Sequence, residues 1–216
     1  MGDGTRGPGR PPLVVGLLGG IASGKSEVAR RLAARGAEVL DADRLAHAEL
    51  DRPEVRERLR AEFGPGIFDA AGELDRRELS RVVFADPARL RRLEQIVHPG
   101  VLAAIAGRLA ALAAPAPARR RVAVLDVPLL LESGMAAGCD ELLFVHAPPA
   151  ARRARARARG WDEAELGRRE AHQADLERKR AAATWVVDNT GSLAELDEQL
   201  ERFWRERIAP ALRPAD

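Results

Sequence analysis

The sequence predicts an α/β fold, a parallel sheet of five strands with helices on both faces. Short unbroken apolar runs alternate with segments of helical periodicity, a glycine-rich loop joins the first run to the first helix, and no internal repeat is visible. Residues 13–18 form the first run, LVVGLL, whose lack of polar residues suits a strand buried on both faces. Val28, Ala29, Leu32 and Ala33 then recur at helical spacing over 26–35, and Gly36 supplies a stop. A second strand is expected at 37–40, running into Asp41, Ala42 and Asp43, with both carboxylates at its C-terminal end. Residues 122–127, 141–146 and 185–188 supply the remaining three strands. An Arg-dense helical pair separates the last two, and an amphipathic helix with Leu193, Leu196, Leu200, Phe203, Trp204 and Ile208 on its apolar stripe closes the chain.

Between the second and third strands the period is helical throughout: Leu59 and Phe63, Leu79, Val82 and Val83, Leu90, Leu93, Ile96 and Val97, then Leu102, Ile105, Leu109 and Leu112. Gly64, Pro65, Gly66, Pro87 and Pro99 are expected to break it into pieces, and 114–121 reads as a Pro/Ala/Arg connector. The expected organisation is a flexible tail at 1–12, a core formed by 13–43 and 122–205, and an inserted helical subdomain at 44–121.

Hydrophobic residues make up 46% and charged residues 31%, the balance of a chain that folds. The 35 basic residues face 33 acidic ones for a net charge of +2, so no nucleic-acid partner is expected. Nearly all the basic residues are Arg; lysine occurs only at Lys25 and Lys179, which makes a lysine at position 25 stand out. Cys139, the single cysteine, has no partner for a disulfide or a metal site and reads as a packing residue in a reducing compartment. The first twelve residues carry no apolar segment of a secretory signal, and no later run is expected to reach the length of a membrane span. A cytoplasmic protein without a membrane partner is the expectation.

Residues 19–26, GGIASGKS, match G-x-x-x-x-G-K-[ST] in full, at the strand-to-helix junction where the motif has its mechanism. The glycines let successive N–H groups turn toward phosphate oxygens, and the helix N-terminus adds partial positive charge. Gly19, Gly20, Ala22, Ser23, Gly24, Lys25, Ser26 and Glu27 are the candidate ATP contacts. Lys25 bridges the β- and γ-phosphates in this reading, and the Ser26 hydroxyl ligates Mg²⁺. Asp126, ending the third strand, resembles a Walker-B carboxylate that holds Mg²⁺ through water. Asp43 is the candidate that takes the proton of an acceptor hydroxyl; alternatively Asp41 or Asp43 caps the helix beginning near Arg44. Asn189 either reaches the adenine or begins a turn with Thr190 and Gly191.

The run 16–26 (GLLGGIASGKS) followed by Asp41-Ala42-Asp43 resembles the dephospho-coenzyme A kinase family. Residues 93–99 (LEQIVHP), 127–132 (VPLLLE), Arg155, Arg159-Gly160, Arg169, Gln173 and 188–191 (DNTG) follow the family pattern in order, so the resemblance spans roughly 13–205. It implies a P-loop fold like that of nucleoside-monophosphate kinases, with a helical lid at about 150–175. It implies ATP-dependent phosphorylation of the ribose 3′-hydroxyl of dephospho-CoA, with Asp43 as general base and 44–121 as the CoA-binding subdomain. Arg155 and Arg159, i and i+4 on a helix, are expected to present two guanidinium forks to one side. Arg152, Arg153 and Arg157 read as a solvated basic face. His98, Pro128, Leu129, Leu130 and Glu132 become substrate contacts, and a monomer or weak homo-oligomer is expected. Glu27, Glu170 and Thr184 depart from the pattern.

Three rivals remain in view. Another small-acceptor kinase shares the loop but not the His98-Pro99 and 128–132 segments. A GTPase requires N-K-x-D, and neither lysine follows Asn. A nucleic-acid binder would use the Arg-rich helix, but acidic residues across 162–177 dilute it.

Overall fold

The apolar runs fold as five parallel strands. The computed structural model describes residues 10–113, 120–170 and 175–212. Residues 1–9 of the expected tail, 114–119 of the expected connector, and Gln173 lie outside the described residues. The strands are β1 (Leu13–Gly19), β2 (Glu38–Asp41), β3 (Val122–Asp126), β4 (Glu141–His146) and β5 (Trp185–Asp188), in the spatial order β2-β3-β1-β4-β5. All seven residues of β1 are buried, as a strand in the middle of a covered parallel sheet requires. Leu13, Val15 and Leu17 face one core with Val28, Ala29 and Leu32 of helix α1 (Lys25–Ala34) and with Leu196, Leu200 and Phe203.

On the opposite face Gly16 has no side chain, and Leu130, Cys139 and Leu142 fill the hollow it leaves. Burial pushes the Cys139 thiol up to about 11, which keeps it protonated and agrees with a packing role.

The chain divides into two compact units, 42–108 and the sheet unit comprising 1–41 and 109–216. In the first, helices α2 (Ala42–Leu50), α3 (Pro53–Phe63), α4 (Arg76–Phe84) and the N-terminal part of α5 (Pro87–Ala113) bury Val55, Leu59, Ile67, Leu79, Val83, Ile96, Val97, Val101 and Ile105. Asp75 caps α4 by accepting hydrogen bonds from the backbone N–H groups of Arg77 and Glu78 at 2.9 and 3.1 Å.

Two expectations fail at α5. Pro99 lies inside the helix without ending it. The proline removes one backbone donor, but Ile96, Val97, Val101 and Ile105 are buried on both sides of it and hold the helix through. An 18-residue window of α5 also reaches a mean hydropathy of 1.6, long and apolar enough by length and composition to cross a membrane, contrary to the sequence reading. His98, Pro99, Gly100 and Arg108 interrupt the apolar run in the sequence.

Gly100 has a tertiary reason to be glycine. A Cβ there would overlap the carboxylate of Glu49, a buried residue of α2 whose other contact is Arg52 at 3.4 Å. Gly107, on the same helix, has nothing within 4 Å of a Cβ position. We therefore expect opposite signs from the same substitution. Gly107→Ala raises stability by up to about 1 kcal/mol through helix propensity, whereas Gly100→Ala lowers it by about 1–2 kcal/mol because a buried carboxylate must move. Thermal denaturation checks this, and shifts of the same sign in both variants would refute it.

In the sheet unit the described residues between β4 and β5 form three helices where a pair was expected: α6 (Pro149–Ala158), α7 (Glu163–Glu170) and α8 (Leu176–Ala182). Helix α9 (Leu193–Phe203), opened by a Ser192–Glu195 capping box and continued by a π turn over Trp204–Ile208, completes the fold.

Candidate active site

Three positive φ angles shape the loop after β1: Gly19 at 149°, Ala22 at 58° and Gly24 at 101°. Ala22 is the one non-glycine residue with positive φ among the described residues, and this strain is located on the motif itself. Ser23 N–H closes a turn on Gly20 O at 3.2 Å, and Gly24 O receives Glu27 and Val28 N–H as α1 begins. The Lys25 ammonium donates to Gly19 O at 3.3 Å and Gly20 O at 3.2 Å. The ammonium is thus held against the backbone of the loop.

A second set of residues holds that backbone. Asn189, buried just past β5, donates its amide to Ser23 O at 2.8 Å and its own N–H to His146 O at 2.8 Å. The Arg155 guanidinium on α6 donates to Ser23 O at 2.9 Å and Asn189 O at 2.6 Å. Asn189 thus supports the loop; beyond it the chain bends at Thr190 and Gly191, with Asp188 accepting from Thr190 N–H at 2.9 Å. The expected convergence of Arg155 and Arg159 does not occur. Arg159 follows the end of α6, is exposed, and lies 5.9 Å from the Trp161 ring.

Arg152, read from sequence as solvated, is buried at 7% exposure and pairs with Glu170. Its Nη1 comes within 3.0 Å of where a Cβ would stand on Gly20. It shares a helix face with Arg155, three residues on, and that spacing was the available signal. Glu170, which departs from the family pattern, is the partner that lets Arg152 be buried. Arg152 Nε and Ser23 Oγ are buried atoms without a hydrogen-bond partner, both beside the loop. A pocket of about 250 Å³ opens next to Gly20, lined by His146, Ala147, Arg152, Leu176 and Arg180 among others.

On the other side of β1, Asp41 and Asp126 end neighbouring strands in direct register. Ser26 is exposed in the first turn of α1. Among the described residues no cluster of three His, Cys, Asp or Glu could hold a metal alone. Hard oxygen donors of this kind, a hydroxyl and strand-end carboxylates, fit a Mg²⁺ whose other ligands are phosphate oxygens and water. Glu27 points its carboxylate at Arg30 (2.6 Å) and Arg31 (2.6 Å). The hydrogen bond from Arg30 chiefly, with that from Arg31, holds it down at about 2.

Asp43 is exposed in the first turn of α2, inside the helical unit. The helix begins at Ala42, two residues earlier than expected, so Asp43 belongs to it and not to the strand end. His98 is exposed on α5 in the same unit. In the sheet unit Pro128 is exposed and Leu129 half-buried, but Leu130 is 1% exposed against Gly16. Leu130 is thus a core residue and not a surface contact, because the hollow at Gly16 draws it inward. Glu132 pairs with Lys179, the other lysine of the chain, at 3.0 Å.

The comparisons with known proteins identify the family and the fold. The family model described as dephospho-CoA kinase matches residues 13–195. A dephospho-CoA kinase of Frankia casuarinae is 43% identical over 199 residues, covering 91% of this chain and 84% of that protein. The Deinococcus radiodurans dephospho-CoA kinase is 44% identical, covering 90% and 92%. A crystal structure of a Thermus thermophilus protein superposes with a TM-score of 0.76 at 40% identity, covering 93% of this chain and all of that one. The dephospho-CoA kinase of Campylobacter jejuni, at 22% identity and a TM-score of 0.65, shares the fold. With a family model matching most of its length and relatives above 40% identity, the chain belongs to the dephospho-CoA kinase family.

Proposed function

We propose that the protein transfers the γ-phosphate of ATP to the 3′-hydroxyl of the dephospho-CoA ribose, giving coenzyme A and ADP. The observation that carries this is the strained, cross-braced loop 19–26 with Lys25 over its backbone, in a chain of this family. On binding ATP, Lys25 exchanges the Gly19 and Gly20 carbonyls for β- and γ-phosphate oxygens. Ser26, with Asp126 through water, would hold Mg²⁺, which when bound neutralises charge on the phosphate oxygens.

Asp43 accepts the proton of the 3′-hydroxyl as its oxygen attacks the γ-phosphorus, and the bridging oxygen leaves on ADP. Arg155 keeps the loop in shape through Ser23, and Arg159 serves the lid that the family resemblance implies at about 150–175. The helical unit, with His98, and Pro128 and Leu129 of the segment 128–132 receive dephospho-CoA, while the Glu132 carboxylate is held by Lys179. A cytoplasmic enzyme acting as a monomer or weak homo-oligomer fits this reading.

Coupled ADP release, measured with and without dephospho-CoA, tests it. We expect dephospho-CoA to stimulate turnover strongly, and shikimate, gluconate or nucleoside monophosphates to leave it at background. Stimulation by one of those acceptors with none by dephospho-CoA would overturn the proposal.

A further inference from the structure

Of the two lysines in the chain, Lys25 serves the loop and Lys179 has no part in the mechanism above. Lys179 is the more enclosed, with its side chain 2% exposed on α8 and its ammonium 3.0 Å from a Glu132 carboxylate oxygen, itself 22% exposed. Burying the Lys179 ammonium costs desolvation that an apolar side chain of the same volume avoids, so stability alone does not account for it. What an ion pair adds over apolar packing is a fixed direction and separation between the two backbones that carry it.

Those two backbones matter. Glu132 ends the segment that leaves β3 directly after Asp126, and Leu130 pins its middle to Gly16 of β1. Three residues before Lys179, Leu176 of the same helix reaches to 3.1 Å from a Cβ position on Gly20 of the phosphate loop. Helix α8 thus touches the loop through one residue and the segment 127–132 through another, one turn apart. Asp175 caps its start by accepting from Glu177 N–H at 3.3 Å.

We infer that the Lys179–Glu132 ion pair is a positioning device that sets Pro128 and Leu129 relative to the phosphate loop, and so sets the acceptor hydroxyl relative to the γ-phosphate. This rests on the phosphoryl-transfer reading above. Neither residue touches the reacting atoms; they act through the segment and the helix they join.

The test compares Lys179→Met, Glu132→Leu and the double variant by thermal midpoint and by separate KM values for ATP and dephospho-CoA. Glu132→Leu takes a carboxylate partner away from the buried Lys179 ammonium, so its midpoint falls, while the double variant, with that buried charge removed, regains a midpoint near wild type. If the pair positions the acceptor, kcat/KM for dephospho-CoA falls by about 10–100-fold in the double variant, while KM for ATP changes by less than about twofold. Recovery of acceptor kinetics together with the midpoint would overturn the inference, as would equal losses for ATP and acceptor. The double variant carries the test even where a single one does not fold. Failure of the underlying reading shows elsewhere, as a wild type that dephospho-CoA does not stimulate.

Discussion

Asp43→Ala is expected to lower kcat with dephospho-CoA by about 10²–10⁴-fold, the range that a positioned general base contributes, with ATP binding retained. The carboxylate sits in the first turn of α2, exposed, two residues past the end of β2. Residues of the phosphate loop and its braces all lie in the sheet unit, so removing Asp43 leaves their hydrogen bonds untouched. The competing role is local: an acidic side chain in a first helical turn stabilises the helix by about 0.3–1 kcal/mol. Asp43→Asn separates the two. The amide keeps size and an acceptor oxygen but cannot take a proton, so a base predicts an enzyme as slow as the alanine variant. Activity within about tenfold of wild type in Asp43→Asn would assign Asp43 to helix stability and positioning and end its role as base.

The parts of the fold that were legible in the sequence are those whose signal is local. β1 is an apolar run, β4 carries the apolar stretch 142–145 between Glu141 and His146, and the loop 19–26 carries its glycines and lysine in fixed order. The three remaining strands agree to within a residue or so at each end. The start of α2 was less legible, because Asp41, Ala42 and Asp43 suit either a strand end or a helix start. Pro99 misled for a related reason: proline breaks helices by local chemistry, and here buried neighbours on both sides outweigh it.

The least legible residues are charged ones whose role is set by partners far along the chain. Arg152 looks like its neighbours Arg153 and Arg157 until Glu170, eighteen residues on, is seen to neutralise it. Lys179 and Glu132 are 47 positions apart, and neither sits in a pattern that periodicity detects. Gly100 is equally silent, since only the buried Glu49 makes a side chain there impossible to place without movement. The donor half of the site therefore reads from sequence physics, whereas its braces become visible only in three dimensions.

Gly24→Ala tests those braces. Gly24 has φ at 101°, a region where an L side chain costs about 1–2 kcal/mol. A Cβ there also overlaps the Asn189 amide nitrogen, the atom that holds Ser23 O. Displacing Asn189 leaves its buried amide donor unmet, while Ser23 O keeps its hydrogen bond from Arg155, for a further cost of about 1–3 kcal/mol. With about 2–4 °C lost per kcal/mol in a chain of this size, the thermal midpoint should fall by about 4–20 °C. ATP affinity should fall with it, because Arg155 bonds to both Ser23 and Asn189 and loses its alignment. If the overlap is the mechanism, Gly24→Ala and Asn189→Ala share a cost, and the double variant is scarcely less stable than Gly24→Ala alone. Residues in contact are where additivity fails. Fully additive losses in that cycle would show that backbone strain at position 24, and not its contact with Asn189, is what the glycine avoids.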